Sequence, residues 1–208
     1  MVTRVKICGV TNAADVAMVV DAGVDAIGFN MYPSSPRYVA PALARQLCAQ
    51  VPVFVSRVGL FVNASQAEVE AVCRQVEFDL LQFHGDEDND FCASFGRPFI
   101  KALRVAAGDD AAAMTALYPN SHGILLDAYA DGLYGGTGRT IDWQQLTGLA
   151  LGKGGMVLAG GLTADNVAAA ITLVRPHGVD VSGGVERAKG HKDAEQVRRF
   201  MRAVRATD

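Results

Sequence analysis

The chain has 208 residues, of which half are apolar and a fifth are charged, and its formal net charge is −3. This balance is typical of a folded globular domain and, with its scattered lysines and arginines, excludes the basic footprint of a nucleic-acid-binding protein. No apolar run approaches the ~20 residues that span a membrane, and the first residues lack the apolar core of a signal peptide, so we expect one cytoplasmic domain over residues 1–208 with no membrane partner.

The four cysteines are spaced too irregularly to suggest a metal site or a disulfide framework. They stand at positions 8, 48, 73 and 92, with no Cys-x-x-Cys pair and no histidine at ligand spacing. A reducing compartment is the natural inference, and we expect no metal ion. The last three cysteines fall in segments of helical period, where they are expected to pack.

Short apolar runs alternate with segments of helical period along the whole chain. The predicted strands centre on residues 5–7, 26–29, 55–61, 80–83, 100–103, 124–126, 156–158 and 179–181. Asn12 can cap a first helix over 13–21 that Gly23 stops, and a last helix covers about 193–206. Eight βα units of about 26 residues predict a small single-domain (β/α)8 TIM barrel, with a doubly wound open sheet as the alternative.

Polar residues and glycines follow the predicted strands at the end where a barrel carries its functional loops. These positions are Cys8, Arg37, His84, Arg104, Asp127, Gly160, Gly161, Asp180, Ser182 and Gly183. Convergence from so many strands at one mouth is difficult to explain by fold maintenance alone, although His84 and Arg104 could also brace the rim.

Cys8 and Asp127 are the candidate base and acid. Free cysteine usually packs as a small hydrophobe, so packing is the alternative for Cys8. Lys6, Arg37 or helix amides nearby would favour the thiolate and make Cys8 a useful base at neutral pH. Asp127 ends an apolar run and can act as a general acid, with a helix cap as the alternative.

Anion-binding groups are the second expectation for the mouth. The glycine pairs at 160–161 and 183–184 let the backbone approach a phosphate closely, as the loops after the seventh and eighth barrel strands often do. Tight turns are the alternative for these glycines. Arg37, in a proline-bounded loop, can grip a carboxylate with two hydrogen bonds, or it can be a solvated loop arginine. Gly136 lies in a glycine-rich loop that could close over a substrate.

Seven motifs in order make the chain resemble the phosphoribosylanthranilate isomerases. They are KICG at 6–9, SPRYV at 35–39, LLQFHG at 80–85, LD at 126–127, GGTG at 135–138, LAGGL at 158–162 and DVSGGVE at 180–186, and KD at 192–193 is similar too. The resemblance covers the chain from end to end. It implies an isomerase of tryptophan biosynthesis that acts on a phosphosugar joined to anthranilate, without metal or organic cofactor.

The resemblance also implies roles for single residues. Asp127 would protonate the ribose ring oxygen, and Cys8 would remove the C2 proton in an Amadori rearrangement. Arg37 would hold the anthranilate carboxylate, the backbone around Gly160, Gly161, Ser182 and Gly183 would hold the phosphate, and Asp180 would bind a sugar hydroxyl. His84 and Gly136 are further candidates for substrate contact.

Three matters stay open at the level of sequence. A histidine-pathway sugar isomerase on the same scaffold is an alternative, although such barrels typically carry a carboxylate where Cys8 stands. A noncatalytic barrel that binds an anionic ligand is another. A barrel of this size can be a monomer or a homodimer.

Overall fold

Eight parallel strands close into a barrel in the order in which they occur along the chain. The computed structural model describes residues 2–106, 108–128, 142–149 and 154–208. The strands are β1 (Arg4–Cys8), β2 (Ala26–Asn30), β3 (Ser56–Phe61), β4 (Leu80–Phe83), β5 (Phe99–Val105), β6 (Gly123–Ala128), β7 (Met156–Leu158) and β8 (Gly178–Val181). β1 pairs with both β2 and β8, which closes the barrel. The predicted (β/α)8 barrel is therefore confirmed and the open sheet is excluded.

Helices follow seven of the eight strands in the described part of the chain. They are α1 (Ala13–Asp21), α2 (Pro41–Cys48), α3 (Gln66–Gln75), α4 (Asn89–Ala93), α5 (Ala111–Ala116), α6 (Val167–Val174) and α7 (Ala194–Arg205). As predicted, the Asn12 side chain accepts from the Asp15 amide at the start of α1, and Gly23 beyond its end has a φ of +81°. Asp193 caps α7 in the same way. Parallel strands need such crossovers.

Between β6 and β7 the structure describes residues 142–149 and 154–155. Residues 142–149 contain a short 3-10 turn, Trp143–Leu146, capped by Asp142. Thr147 then has an extended backbone, and Gly148 has a φ of +74°, so the turn does not continue beyond Leu146.

A small hairpin fills the space between β8 and α7. A 3-10 turn over Gly183–Val185 leads into β9 (Glu186–Ala188), which pairs antiparallel with β10 (His191–Lys192). Gly190 in the connection has a φ of +79°. The hairpin brings two charged side chains, Glu186 and Lys192, back toward the barrel mouth.

The core has two layers because neighbouring residues of a strand face opposite sides. Side chains that face the helices include Ile7, Phe83 and Val179, all fully buried. Inside the barrel, Ile100 and Leu125 form a smaller apolar cluster. In β1, Ile7 faces the helices, so Lys6 and Cys8 face the barrel interior. No helix in the described ranges is long and apolar enough to cross a membrane.

Candidate active site

Cys8, Lys6 and Asp180 form the floor of the mouth at the carboxyl ends of β1 and β8. Lys6 Nζ lies 2.9 Å from Asp180 Oδ1, and both side chains are buried. Gly28 on β2 leaves the room that this group needs. A methyl group there would lie 2.8 Å from Cys8 Sγ and 3.1 Å from Lys6 Nζ. The thiol and the ammonium therefore meet over the bare backbone of Gly28.

The charge balance at Cys8 differs from the expectation for a free thiolate. Burial raises the pKa of the Cys8 thiol, and the opposing charges of Lys6 and Lys192 do not reverse that rise. The pKa of Lys6 is raised as well: burial alone would lower it, but Asp180 and Cys8 more than compensate. The expected contribution of Lys6 is present, but burial outweighs it, so the pKa of Cys8 lies above its usual value.

Asp127 lies near the end of β6 and contacts a histidine from β4. His84 Nε2 is 3.2 Å from Asp127 Oδ2, and both side chains are buried. On its other side, His84 Nδ1 is 3.0 Å from the Gln82 amide nitrogen. The ring is thus held between the Gln82 side chain and the Asp127 carboxyl. His84 is therefore placed to orient the Asp127 carboxyl.

Arg37 is held by a carboxylate of the protein itself. Its Nε and Nη2 donate to the two oxygens of Glu186 at 2.8 and 2.7 Å. These bonds raise the pKa of Arg37. Burial alone would raise the pKa of Glu186, but Arg37 and Lys192 bring it below its usual range. The pair occupies one edge of the guanidinium, so the edge formed by Nη1 and the second Nη2 proton can receive another carboxylate.

Arg37 lies against the turns that follow β1 and β8. A methyl group on Gly9 would lie 2.5 Å from Arg37 Cδ and 3.2 Å from Ser182 Oγ, and one on Gly183 would lie 3.6 Å from Arg37 Nη2. Gly9 has a φ of +74°, which favours glycine in any case. The Arg37 side chain thus lies between the turn after β1 that contains Gly9 and the Ser182–Gly183 backbone.

The two glycine turns after β7 and β8 touch each other. Gly160 and Gly161 have φ angles of +87° and +61°, and a methyl group on Gly184 would overlap the carbonyl oxygen of Leu162. Left-handed backbone of this kind can aim successive amides at an anion. Ser182 Oγ is buried and has no hydrogen-bond partner within the described part of the chain. The turns therefore form one continuous surface that suits a phosphate.

Asn166 fixes the first of these turns. Its side chain donates to the Gly161 carbonyl at 3.0 Å and accepts from the Thr163 amide at 2.8 Å. A small apolar cluster completes the mouth, with Leu60 and Val62 buried against Cys8 and Tyr32 packed beside them. This surface can receive a flat apolar ring next to the thiol.

The predicted site residues that the structure describes gather at one mouth, and Gly136 lies outside the described residues. Arg104 stands beside Asp127 in the β5–β6 register, one residue before β5 ends, and its Nη2 donates to Asp86 at 2.8 Å. Cys48 and Cys92 are buried packing residues, as predicted, and burial raises their pKa to about 12. All four cysteines are free.

Sequence reasoning assigned no role to Gln82, Asn166, Glu186 or Lys192. Glu186 and Lys192 stand in the recognised motifs, but nothing in their spacing shows that they meet Arg37 and each other. Asn166 precedes α6 and could have been noticed as a capping type of residue. In the described ranges, no group of three histidine, cysteine or acidic side chains could hold a metal ion.

A thiol and a carboxyl lie at the carboxyl ends of barrel strands, beside an arginine and glycine turns suited to anions, which is the arrangement of a (β/α)8-barrel enzyme. The chain belongs to the N-(5'-phosphoribosyl)anthranilate isomerase family, whose model matches residues 5–203. It is an isomerase of tryptophan biosynthesis.

Relatives and solved structures agree along the whole chain. It is 54% identical to an N-(5'-phosphoribosyl)anthranilate isomerase of Pseudomonas fluorescens over 99% of this chain and 97% of that protein. The isomerase of Thermotoga maritima is 36% identical with a TM-score of 0.88, covering 98% of this chain and 99% of that one. A phosphoribosylanthranilate isomerase in complex with reduced 1-(o-carboxyphenylamino)-1-deoxyribulose 5-phosphate is 34% identical, with a TM-score of 0.83 and coverage of 98% and 99%.

Proposed function

We propose that this chain converts N-(5-phosphoribosyl)anthranilate to 1-(2-carboxyphenylamino)-1-deoxyribulose 5-phosphate by an Amadori rearrangement. The observation that carries the proposal is that Arg37 and the Ser182–Gly183 turn lie at the same barrel mouth as the Cys8 thiol and the Asp127 carboxyl. A substrate that carries both a carboxylate and a phosphate needs an anchor for each of them beside the acid and the base. Family membership supports the same substrate.

Binding uses groups at the edge of the mouth. The free edge of Arg37 takes the anthranilate carboxylate, and Leu60, Val62 and Tyr32 receive the ring. The backbone of Gly160, Gly161, Ser182 and Gly183 and the Ser182 hydroxyl take the phosphate. Asp180 already accepts from Lys6 through Oδ1, and its second oxygen would accept from a sugar hydroxyl.

Ring opening is the first chemical step. Asp127, in its protonated form, gives its proton to the ribose ring oxygen as the bond between C1 and that oxygen breaks. The nitrogen lone pair forms the C1=N bond of a Schiff base. His84 keeps the carboxyl oriented from Oδ2. In this role His84 acts through Asp127 and is a positioning residue.

Proton removal from C2 is the second step. The Cys8 thiolate takes the C2 proton, and the electron pair moves through C1 to the imine nitrogen to give an enolamine. The enolamine then takes a proton at C1 while its C2 hydroxyl releases a proton, which gives the C2 ketone. Cys8 never bonds to carbon. A buried thiolate of raised pKa is a strong base once formed, which suits a weak carbon acid.

The reaction is internally balanced. C2 is oxidised from alcohol to ketone while C1 is reduced from aminoaldose to amine level, so one electron pair moves from C2 to C1 within the substrate. An intramolecular oxidoreduction of this kind needs no organic cofactor or metal ion.

We place the enzyme in the cytoplasm, where Cys8 stays a thiol. Whether it acts as a monomer or a homodimer does not enter the chemistry.

The test is turnover of freshly made N-(5-phosphoribosyl)anthranilate with the product identified by NMR. We expect the substrate fluorescence to disappear and a 1-amino-1-deoxyketose to form. With wild type, a matched substrate that lacks the anthranilate carboxylate should have a higher KM than the complete substrate. With Arg37→Met, the two substrates should have similar KM values. Turnover of a histidine-pathway aminoaldose alone, or binding without turnover, would contradict the proposal.

A further inference from the structure

Lys192 on β10 is a buried lysine at the centre of the mouth that the proposed chemistry does not use. Its side chain is completely buried. Nζ lies 2.6 Å from the Cys8 carbonyl oxygen, 3.2 Å from the Ser182 carbonyl oxygen and 2.8 Å from Glu186 Oε1. One side chain therefore contacts three chain segments that are distant in sequence.

The geometry of these contacts fits the charged form of Lys192. An ammonium group donates three hydrogen bonds, whereas a neutral amine donates two, and Nζ has three acceptors within reach. Burial lowers the pKa of Lys192, and the contact with Glu186 opposes that effect. A buried ammonium is tolerated when its donors are all used and a carboxylate is its partner.

Each of the three acceptors belongs to a different part of the proposed site. The Cys8 carbonyl is the backbone of the base, the Ser182 carbonyl is the backbone of the phosphate turn, and Glu186 is the carboxylate that holds Arg37. We propose that Lys192 is a positioning residue. It holds the Cys8 backbone, the Ser182 turn and the Arg37–Glu186 pair in one fixed arrangement. The proposal rests on the function proposed above.

The charges of the cluster explain why a cation is needed at position 192. Arg37 and Lys192 carry two positive charges against the single negative charge of Glu186. The cluster therefore keeps one net positive charge, available at the free edge of Arg37. Without Lys192, Glu186 would neutralise Arg37 and weaken its attraction for a substrate carboxylate. Loss of Lys192 should therefore raise KM as well as disturb the base.

Lys192 also acts on Cys8 through its charge. The charged groups that act on the thiol are Lys6 on β1, Asp180 on β8, Lys192 on β10 and Arg37 in the loop after β2. Lys6 and Lys192 favour the thiolate, whereas Asp180 disfavours it. Removing Lys192 should shift the titration of Cys8 to higher pH even when no substrate is present.

The test compares Lys192→Met and Glu186→Gln with wild type, and uses Lys189→Met as the matched control because Lys189 is exposed three residues earlier. We expect Lys192→Met to lower kcat/KM by about 10- to 100-fold, with KM raised and kcat lowered, because misplacement of about 1 Å has effects of that order. The control should stay within twofold of wild type. Thermal unfolding establishes that each variant is folded.

Two readouts separate positioning from a merely structural role. The first readout is the rate at which iodoacetamide alkylates Cys8 without substrate, measured by mass spectrometry of the Cys8 peptide. This rate should begin to rise at a higher pH in Lys192→Met than in wild type. The double variant with Glu186→Gln should be about as impaired as the worse single variant, because the two groups act as a unit. If Lys192→Met does not fold, Glu186→Gln carries the kinetic test, with kcat/KM lowered at least tenfold and KM raised.

An unchanged alkylation profile with additive kinetic effects would overturn the proposal. A folded Lys192→Met variant with near-wild-type kcat and KM would also overturn it. If only Glu186→Gln folds, near-wild-type kcat and KM in that variant would overturn it. If wild type itself does not turn over phosphoribosylanthranilate, the proposed function fails instead. The alkylation comparison would still decide whether Lys192 acts on Cys8.

Discussion

Gly28→Ala places a methyl group where the thiol and the ammonium of the site now meet. The new Cβ would lie 2.8 Å from Cys8 Sγ, 3.1 Å from the Cys8 Cα and 3.1 Å from Lys6 Nζ. Sγ must move by at least about 0.6 Å to reach an ordinary contact distance, and β1 cannot yield freely in a close-packed barrel. We expect kcat/KM to fall by about 10- to 100-fold and stability by about 1–3 kcal/mol.

The assay measures steady-state kinetics and urea unfolding of Gly28→Ala beside Gly59→Ala. Gly59 lies on neighbouring β3, where a methyl group would lie 2.6 Å from the Phe78 ring, outside the barrel mouth. The control should lose a similar amount of stability but keep its activity at temperatures at which it is folded. Equal losses of activity in both variants, or near-wild-type activity in Gly28→Ala, would refute the reasoning about Sγ placement.

Three further outcomes are expected. His84→Ala should lower kcat about tenfold with little change in KM, because the ring orients Asp127; a rise in KM alone would contradict this and favour the predicted substrate contact of His84. In Asp127→Asn, which takes the acid out of the pH dependence, the residual kcat/KM should rise with pH into the alkaline range, since burial raises the pKa of the Cys8 thiol and the base must be deprotonated; a residual rate already flat at pH 7 would count against Cys8. Asp180→Asn should lower the free energy of unfolding in urea by about 3–5 kcal/mol, because Lys6 would be left buried without its carboxylate partner. A change below about 1 kcal/mol would show that water solvates Lys6 in the variant and would contradict this reasoning.

Strand positions were predictable because parallel barrel strands are buried on both faces and appear as short apolar runs. The run at 124–126 and the capped helix beginning after Asn12 are examples in which local sequence and tertiary structure agree. The 3-10 turn at Trp143–Leu146 was not predictable from the apolar period alone. The backbone conformations of Thr147 and Gly148 end it, and the apolar period does not specify them.

The site was predictable where chemistry and topology coincide. Cys8 and Asp127 end strands, and the carboxyl ends of all barrel strands share one mouth, so their convergence follows from the fold. The supporting cluster was not predictable. Glu186 contacts Arg37 across about 150 residues of sequence, and Lys192 contacts Glu186 through a hairpin that no short-range pattern specifies. The effect of Lys6 on the Cys8 pKa was predictable from β1, whereas the larger effect of burial was not, because it depends on tertiary packing.

The central claim is that Cys8 and Asp127 are the base and the acid of one isomerisation. The most direct measurement is the rate of fluorescence loss of freshly made N-(5-phosphoribosyl)anthranilate with wild type, Cys8→Ser and Asp127→Asn, each confirmed as folded. Acid and base contributions are each typically ~10²- to 10⁴-fold, so we predict rapid conversion by wild type and losses of that size in both variants. No turnover by wild type, or near-wild-type turnover by either variant, would contradict the account.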